Sequence, residues 1–236
     1  IALPGENFNP IIWSGSGAGS GGGTAGNRAL TGVGFQPDLV WGKQRTDQTN
    51  YPNILVDSVR TAPWQIYSDQ DVIQAEGDAA GNLASLDSDG FSTTEGAVGN
   101  LYWNRSGSTF VAWNWKAGGA PTATNSGGQT PTSGSVMIDG SASTASLAAA
   151  DIYPTKMSIN TTSGFSIVSY TSPGATSDKT VPHGLPQTPD MVIVKNLDSA
   201  YNWDVWSPAL SSGYDLKLND TAAQASGRWS TTIPTP

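Results

Sequence analysis

The chain carries an internal repeat, and no other feature narrows its fold as much. Near the start stands Thr31-Gly-Val-Gly-Phe-Gln-Pro-Asp-Leu-Val-Trp-Gly-Lys-Gln-Arg45, and further on His183-Gly-Leu-Pro-Gln-Thr-Pro-Asp-Met-Val-Ile-Val-Lys-Asn-Leu197. Gly32 matches Gly184, Pro37 matches Pro189, Asp38 matches Asp190, Val40 matches Val192 and Lys43 matches Lys195, all at one constant offset. Downstream, Asn53–Ser58 lines up with Asp204–Ala209, and Trp64–Tyr67 with Tyr214–Lys217. Upstream, Ile11–Ser14 answers Ile167–Tyr170. Four segments in the same order make coincidence a poor explanation. Copy one is read as residues 1–118 and copy two as residues 155–236. Residues 119–154, rich in Gly, Ser, Thr and Pro, read as a linker, with a short helix expected over the Ala-rich stretch Ser143–Asp151.

The copies are unequal. Copy one runs on through Leu86-Asp-Ser-Asp-Gly-Phe-Ser92 and Thr109-Phe-Val-Ala-Trp-Asn-Trp-Lys116, and copy two has no counterpart of either. The expectation is that the native polypeptide continues, or that another chain supplies the missing strands, since an open sheet edge is a liability in water. The first residue, Ile1 rather than Met, is read the same way, as a sign of processing or of a fragment.

Within copy one the residues point to strands. Glu, Lys, Arg and Met are scarce, while Thr, Val, Ile, Trp and Tyr lie between frequent Gly, Asn, Asp and Pro breaks. Strands are expected near residues 9–14, 38–44, 53–58, 64–68, 83–87, 90–94 and 108–116, with Asp89-Gly90 as the clearest hairpin turn. Ser14 to Gly26 is nearly all Gly, Ser and Ala and reads as a flexible loop. The expected fold is all-β: jelly-roll-like β-sandwich domains in tandem, the second copy incomplete.

Composition removes several function classes. Charged residues make up 13% and the formal net charge is -8, with the basic residues scattered. Such a surface repels phosphate backbones, so no nucleic-acid partner is expected. Cysteine is absent, which excludes disulfides and thiolate metal sites. No apolar run approaches membrane-spanning length, so no membrane partner is expected, and no signal peptide is read.

His183 is the only histidine, and its position in copy one is held by Thr31, so a turn or surface role fits it better than acid–base chemistry. Asp87, Asp89 and Gly90 match the opening of a calcium loop. The EF-hand spacing then requires ligands where Phe91 and Val98 stand. A hairpin turn whose aspartates bond their own backbone is the simpler reading. A structural calcium at Asp87 and Asp89 is the alternative, and no other cofactor is expected. A glycosidase pair drawn from Asp69, Asp71, Glu76, Asp78, Asp87, Asp89 and Glu95 would need two carboxyls facing across a cleft, and solvated loop acids are the simpler account. Nine tryptophans are the most ambiguous feature. Val111, Trp113 and Trp115 share one strand face, a row read as core, and the exchange of Trp41 for Ile193 between copies is read as burial. Tyr201, Trp203 and Trp206 stand in a polar context and are the candidates for stacking on sugar rings.

The strings Ala29–Trp41, Asp57-Ser-Val-Arg60, Leu86–Phe91 and Thr109–Ala117, with Gly164–Thr171, His183-Gly-Leu185 and Pro189–Asn196 in copy two, resemble an uncharacterised repeat domain. That domain occurs, often in tandem, in virion structural and tail-fibre-like proteins of tailed phages, many of them marine. The resemblance implies a non-enzymatic virion protein in the extracellular particle, a fibre, tail or head-decoration component. Its implied partners are other copies of itself, other virion proteins and, as an alternative role, a host surface glycan. The family supplies no catalytic residues.

Overall fold

The computed structural model describes residues 4–17, 27–46, 51–174, 177–226 and 229. Residues 18–26, most of the expected glycine-rich loop, lie outside the described residues. The protein is all-β, with domains in tandem, and it forms two compact units. Unit one comprises residues 1–67 and 74–117, and unit two comprises 68–73 and 118–236.

Unit one holds β1 (Phe8–Ser14), β2 (Arg28–Thr31), β3 (Leu39–Gln44), β4 (Ile54–Asp57), β5 (Trp64–Tyr67), β6 (Ala75–Glu76), β7 (Asn82–Asp87), β8 (Gly90–Thr94), a one-turn helix α1 (Leu101–Asn104) and β9 (Thr109–Trp115). One sheet has the order β1-β9-β3-β4-β5-β6, and a three-stranded sheet has the order β2-β8-β7. The strands that alternate clearly in sequence lie within a residue or so of expectation. The short strands β2 and β6 and the helix α1 carry too few residues to show a period.

The core of unit one is aromatic. Trp13 stacks on Phe110 at 5.3 Å and meets the edge of Phe91 at 5.9 Å, and Phe91 meets Trp103 of α1 at 5.8 Å. The Trp13 indole N–H donates to the Trp103 carbonyl at 2.8 Å, which lets a large ring be buried without stranding its polar atom. Truncating any one of these rings to alanine would cost about 3–5 kcal/mol. Gly42 on β3 is part of the same packing. A Cβ there would lie 2.3 Å from the Trp103 ring, so the strand admits only glycine at that point.

Unit two holds β10 (Val136–Ile138), β11 (Ser141–Ala142), β12 (Lys156–Asn160), β13 (Phe165–Ser169), β14 (Val192–Val194), β15 (Asp204–Trp206), β16 (Tyr214–Lys217) and β17 (Ala225–Ser226). They form two sheets, β11-β10-β12-β13 and β14-β15-β16-β17. Residues 119–154 are therefore more than a linker. β10 pairs in parallel with β12, Val136 to Met157 and Ile138 to Ile159, and Val136, Met157 and Ile159 form a small core with Leu147, Val168 and Leu185. The short helix expected over residues 143–151 is also absent, because alanine's propensity alone does not hold so short a helix. Leu147 instead donates its N–H to the Gln129 carbonyl at 2.9 Å.

The repeat is visible strand by strand. β3 and β4 pair Val40 to Val56 and Gly42 to Ile54, while β14 and β15 pair Val192 to Trp206 and Val194 to Asp204. β4 and β5 pair Ile54 to Tyr67, as β15 and β16 pair Asp204 to Lys217. β5 and β6 pair Gln65 to Ala75, as β16 and β17 pair Asp215 to Ala225. These ladders correct the sequence alignment by one residue: Ile54, not Asn53, corresponds to Asp204.

Candidate functional site

The face of the large sheet turned away from the aromatic core is itself aromatic. Along β9, Phe110, Ala112 and Asn114 are fully buried, while Val111, Trp113 and Trp115 are half-buried on the opposite face. The expected order is thus reversed, and the row bearing the larger side chains points outward. Trp41 shares that outer face and is half-buried, and Ile193 in copy two is 42% exposed, so the Trp-to-Ile exchange does not mark a core position. The reason is tertiary. The inner face must accommodate Trp13 and Trp103, which only small or slender neighbours such as Gly42 and Ala112 permit.

The pairing registers set these outer side chains in a lattice across β1, β9 and β3. Phe8, Trp115 and Leu39 form one row, Pro10, Trp113 and Trp41 the next, and Ile12, Val111 and Lys43 the third. Phe8 and Trp115 lie 4.9 Å apart, Trp41 and Trp113 5.9 Å, and Trp41 and Trp115 6.4 Å. Ile12 is 67% exposed. Cross-strand aromatic pairs of this kind pack against one another, so the surface offered is continuous and apolar.

The other expected site residues behave differently. Trp203 and Trp206 are both buried within unit two. The Trp203 indole N–H donates to the Gln70 carbonyl at 3.0 Å, and Trp206 packs 6.2 Å from Trp229. Only Tyr201 is at the surface, so the three residues do not form a stacking platform. Their polar neighbours in sequence suggested exposure, but the contacts that bury them come from distant segments.

Asp87 and Asp89 stand at the β7–β8 hairpin, but their carboxylates do not bond the backbone of their own turn as expected, because donors from the loop after β2 and from serine side chains reach them first. Asp89 accepts the backbone N–H groups of Gly32 at 3.1 Å and Gly34 at 2.6 Å, one on each carboxylate oxygen. Asp87 accepts the hydroxyls of Ser85 at 2.7 Å and Ser92 at 2.6 Å. All four oxygens already have protein donors, and among the described residues no three His, Cys, Asp or Glu side chains gather to hold a metal ion. The turn itself needs Gly90, where a Cβ would lie 2.0 Å from the Leu30 carbonyl oxygen. His183 Nδ1 accepts the Leu185 N–H at 3.0 Å within a turn. Asp78 likewise accepts the Ala80 N–H at 2.7 Å and the Tyr67 hydroxyl at 3.2 Å.

Sequence reasoning missed one polar cluster in each copy. In unit one, buried Gln65 donates to the Tyr67 hydroxyl at 3.0 Å, and burial, with the Asp78 carboxylate beside it, holds that phenol well above its ordinary range. In unit two the matching positions are Asp215 and Lys217, and Lys217 bridges Asp215 and Asp204. Burial alone would lower the Lys217 ammonium, but the hydrogen bonds it donates to the Asp204 and Asp215 carboxylates, with their charges, outweigh it and raise its pKa.

The family described as Domain of unknown function (DUF7483) matches residues 3–146 and, a second time, residues 139–236. The chain belongs to that family. The two matches agree with two copies of one DUF7483 domain in tandem. No curated protein and no solved structure matches the chain.

Proposed function

We propose that this DUF7483 protein is a structural component of a tailed-phage virion, a fibre, tail or head-decoration part, that works through contacts between subunits and carries out no catalysis. The observation that supports this reading is the lattice of Phe8, Trp115, Trp113, Trp41, Val111 and Ile12 on the outer face of the unit-one sheet. Subunit interfaces draw their affinity from aromatic anchors with few charges at the centre, and Lys43 is the one charged member of the three rows. The placement in a virion rests on the sequence resemblance. Its partners are then other copies of this chain and other virion proteins.

Sedimentation velocity tests the reading. The wild-type chain should form a stable oligomer, and Trp113→Ser, outside the core, should shift it to monomer while leaving the fold intact. A monomer at every concentration contradicts the reading. Aromatic side chains at a surface also suit sugar rings, so a carbohydrate-binding, host-recognition module is the second reading. Glycan binding lost in Trp113→Ser, from a chain that stays monomeric, would favour it.

A further inference from the structure

Copy two is charged at a place that copy one leaves neutral. The ladder of β4 and β5 pairs Ile54 with Tyr67 and carries Gln65 on the same face of β5. The matching residues of β15 and β16 are Asp204, Lys217 and Asp215. Asp204 stands directly across the ladder from Lys217, and Asp215 precedes Lys217 by two residues, so all three side chains leave the sheet on one face. The Lys217 ammonium donates to Asp204 Oδ1 and to Asp215 Oδ2. Copy one forms the same ladder without charge, and a buried ion pair is often no more stabilising than apolar residues of like volume. The fold alone therefore does not account for the trio.

The two carboxylates are not equivalent. Asp215 is 1% exposed, and its Oδ1 has no hydrogen-bond partner among the described residues. A buried carboxylate oxygen without a donor is a place where a proton can lodge. Asp204 is only half-buried, which leaves a departing molecule a path to water. Trp206 shares the Asp204 face of β15 and is buried. An apolar neighbour of that size lowers the local dielectric, which brings a neutral amine and acid closer in energy to the ion pair.

We propose that Lys217 and Asp204 form an intramolecular cross-linking site, at which the lysine amine condenses with the aspartate carboxyl to an amide joining β15 to β16, with Asp215 as the proton carrier. The ion pair is the starting state. Asp215 takes a proton from the ammonium, and the lone pair freed on Lys217 Nζ attacks Asp204 Cγ. Both protons that Nζ gives up leave on an Asp204 oxygen as water. One C–N bond forms and one C–O bond breaks, so ammonium and carboxylate become a neutral amide and one water, with no oxidant or cofactor required. The reacting amine and acid hold the same protons as the ion pair, so the raised pKa of Lys217 slows the step without blocking it. The amide locks two strands whose ladder pairs Asp204 with Lys217 and Val205 with Leu216. Copy one, with Ile54 and Tyr67 at these places, has no such bond to make. The site lies in unit two and is independent of the role proposed for the aromatic lattice of unit one.

The test is the intact mass of the full 236-residue chain, kept folded near neutral pH and sampled over several days. The mass should fall by one water, and a digest should yield one pair of peptides joined through Asp204 and Lys217. Lys217→Arg keeps a cation between the carboxylates but lacks the nucleophilic amine, and should hold the full mass. Asp215→Asn cannot carry the proton and should slow the loss by on the order of 100-fold. Asp204→Asn should lose ammonia in place of water. Circular dichroism that matches the wild type shows that each variant has folded, and the wild-type digest decides the matter without them. A wild-type mass that stays full, a loss of water that persists in Lys217→Arg, or a loss that maps to an Asp-Gly turn overturns the proposal.

Discussion

The ladder β3-β4-β5-β6 and the ladder β14-β15-β16-β17 pair residue for residue, yet they are stabilised by different chemistry. In unit one Ile54, Leu55 and Val56 are all buried, Ile54 and Val56 on the inner face with Val40, and Leu55 on the face that carries Trp41. In unit two the matching Asp204 and Val205 are only half-buried, and Trp206 alone is deep. Where copy one closes the turn after β4 with Asp57, which accepts the Val59 and Arg60 N–H groups and pairs with the Arg60 guanidinium at 2.6 Å, copy two has Ser207 accepting one N–H from Ala209 at 3.3 Å. Where copy one buries a neutral Gln65–Tyr67 pair, copy two buries the Asp215–Lys217 ion pair. Both leave the matching atom, Gln65 Oε1 and Asp215 Oδ1, without a hydrogen-bond partner among the described residues. The register is thus set by backbone pairing and turn placement, which both copies keep, and side-chain chemistry is free to change around it.

Exchanging residues between copies should break the comparison most severely at Gly42. Gly42→Val installs the residue that copy two has at Val194 and drives its Cβ into the Trp103 ring. It should destabilise unit one by about 3 kcal/mol, read as loss of unit-one NMR cross-peaks at lower urea. The reciprocal Val194→Gly should cost only about 1 kcal/mol. Equal effects of the two exchanges would mean that α1 does not distinguish the copies.

The Lys217 cluster sharpens the comparison by charge. Lys217→Met leaves the Asp215 carboxylate buried without its cation and should cost unit two about 3 kcal/mol, with no effect on unit one. The pH dependence has a definite sign. The Lys217 pKa is raised in the folded state, so its stabilisation is complete below the ordinary value of 10.5 and is lost as pH climbs through the raised value. Alkaline titration of the wild type should therefore weaken unit two above that point, and Lys217→Met should remove the dependence.

Much of this was legible in the sequence, and what was not has physical causes. The repeat, the Asp89-Gly90 hairpin and the principal strands are local patterns, and local patterns carry period and turn chemistry. The sidedness of β9 was not legible, since Phe110, Ala112 and Asn114 and the alternate Val111, Trp113 and Trp115 both present apolar bulk. Only the contacts with Trp13, Trp103 and Gly42 decide which row is inside. Trp203 and Trp206 were misread for the same reason, because residues such as Gln70 and Trp229 that bury them are remote in sequence. Residues 119–154 looked like a linker because Gly, Ser and Thr dominate, and the three residues of β10 are too short a strand to stand out.

Copy two keeps the copy-one ladder, and among the described residues no strand pairs with the outer edge of β14. Native-state amide exchange across β3 and β14 of the same chain tests it most directly. Every amide of Leu39–Gln44 should be protected, because β3 is bonded on both sides. Along Val192–Val194 the amides directed toward β15 should be protected, while those directed away should exchange at nearly free rates. Uniform protection along β14, equal to that of β3, would contradict the account.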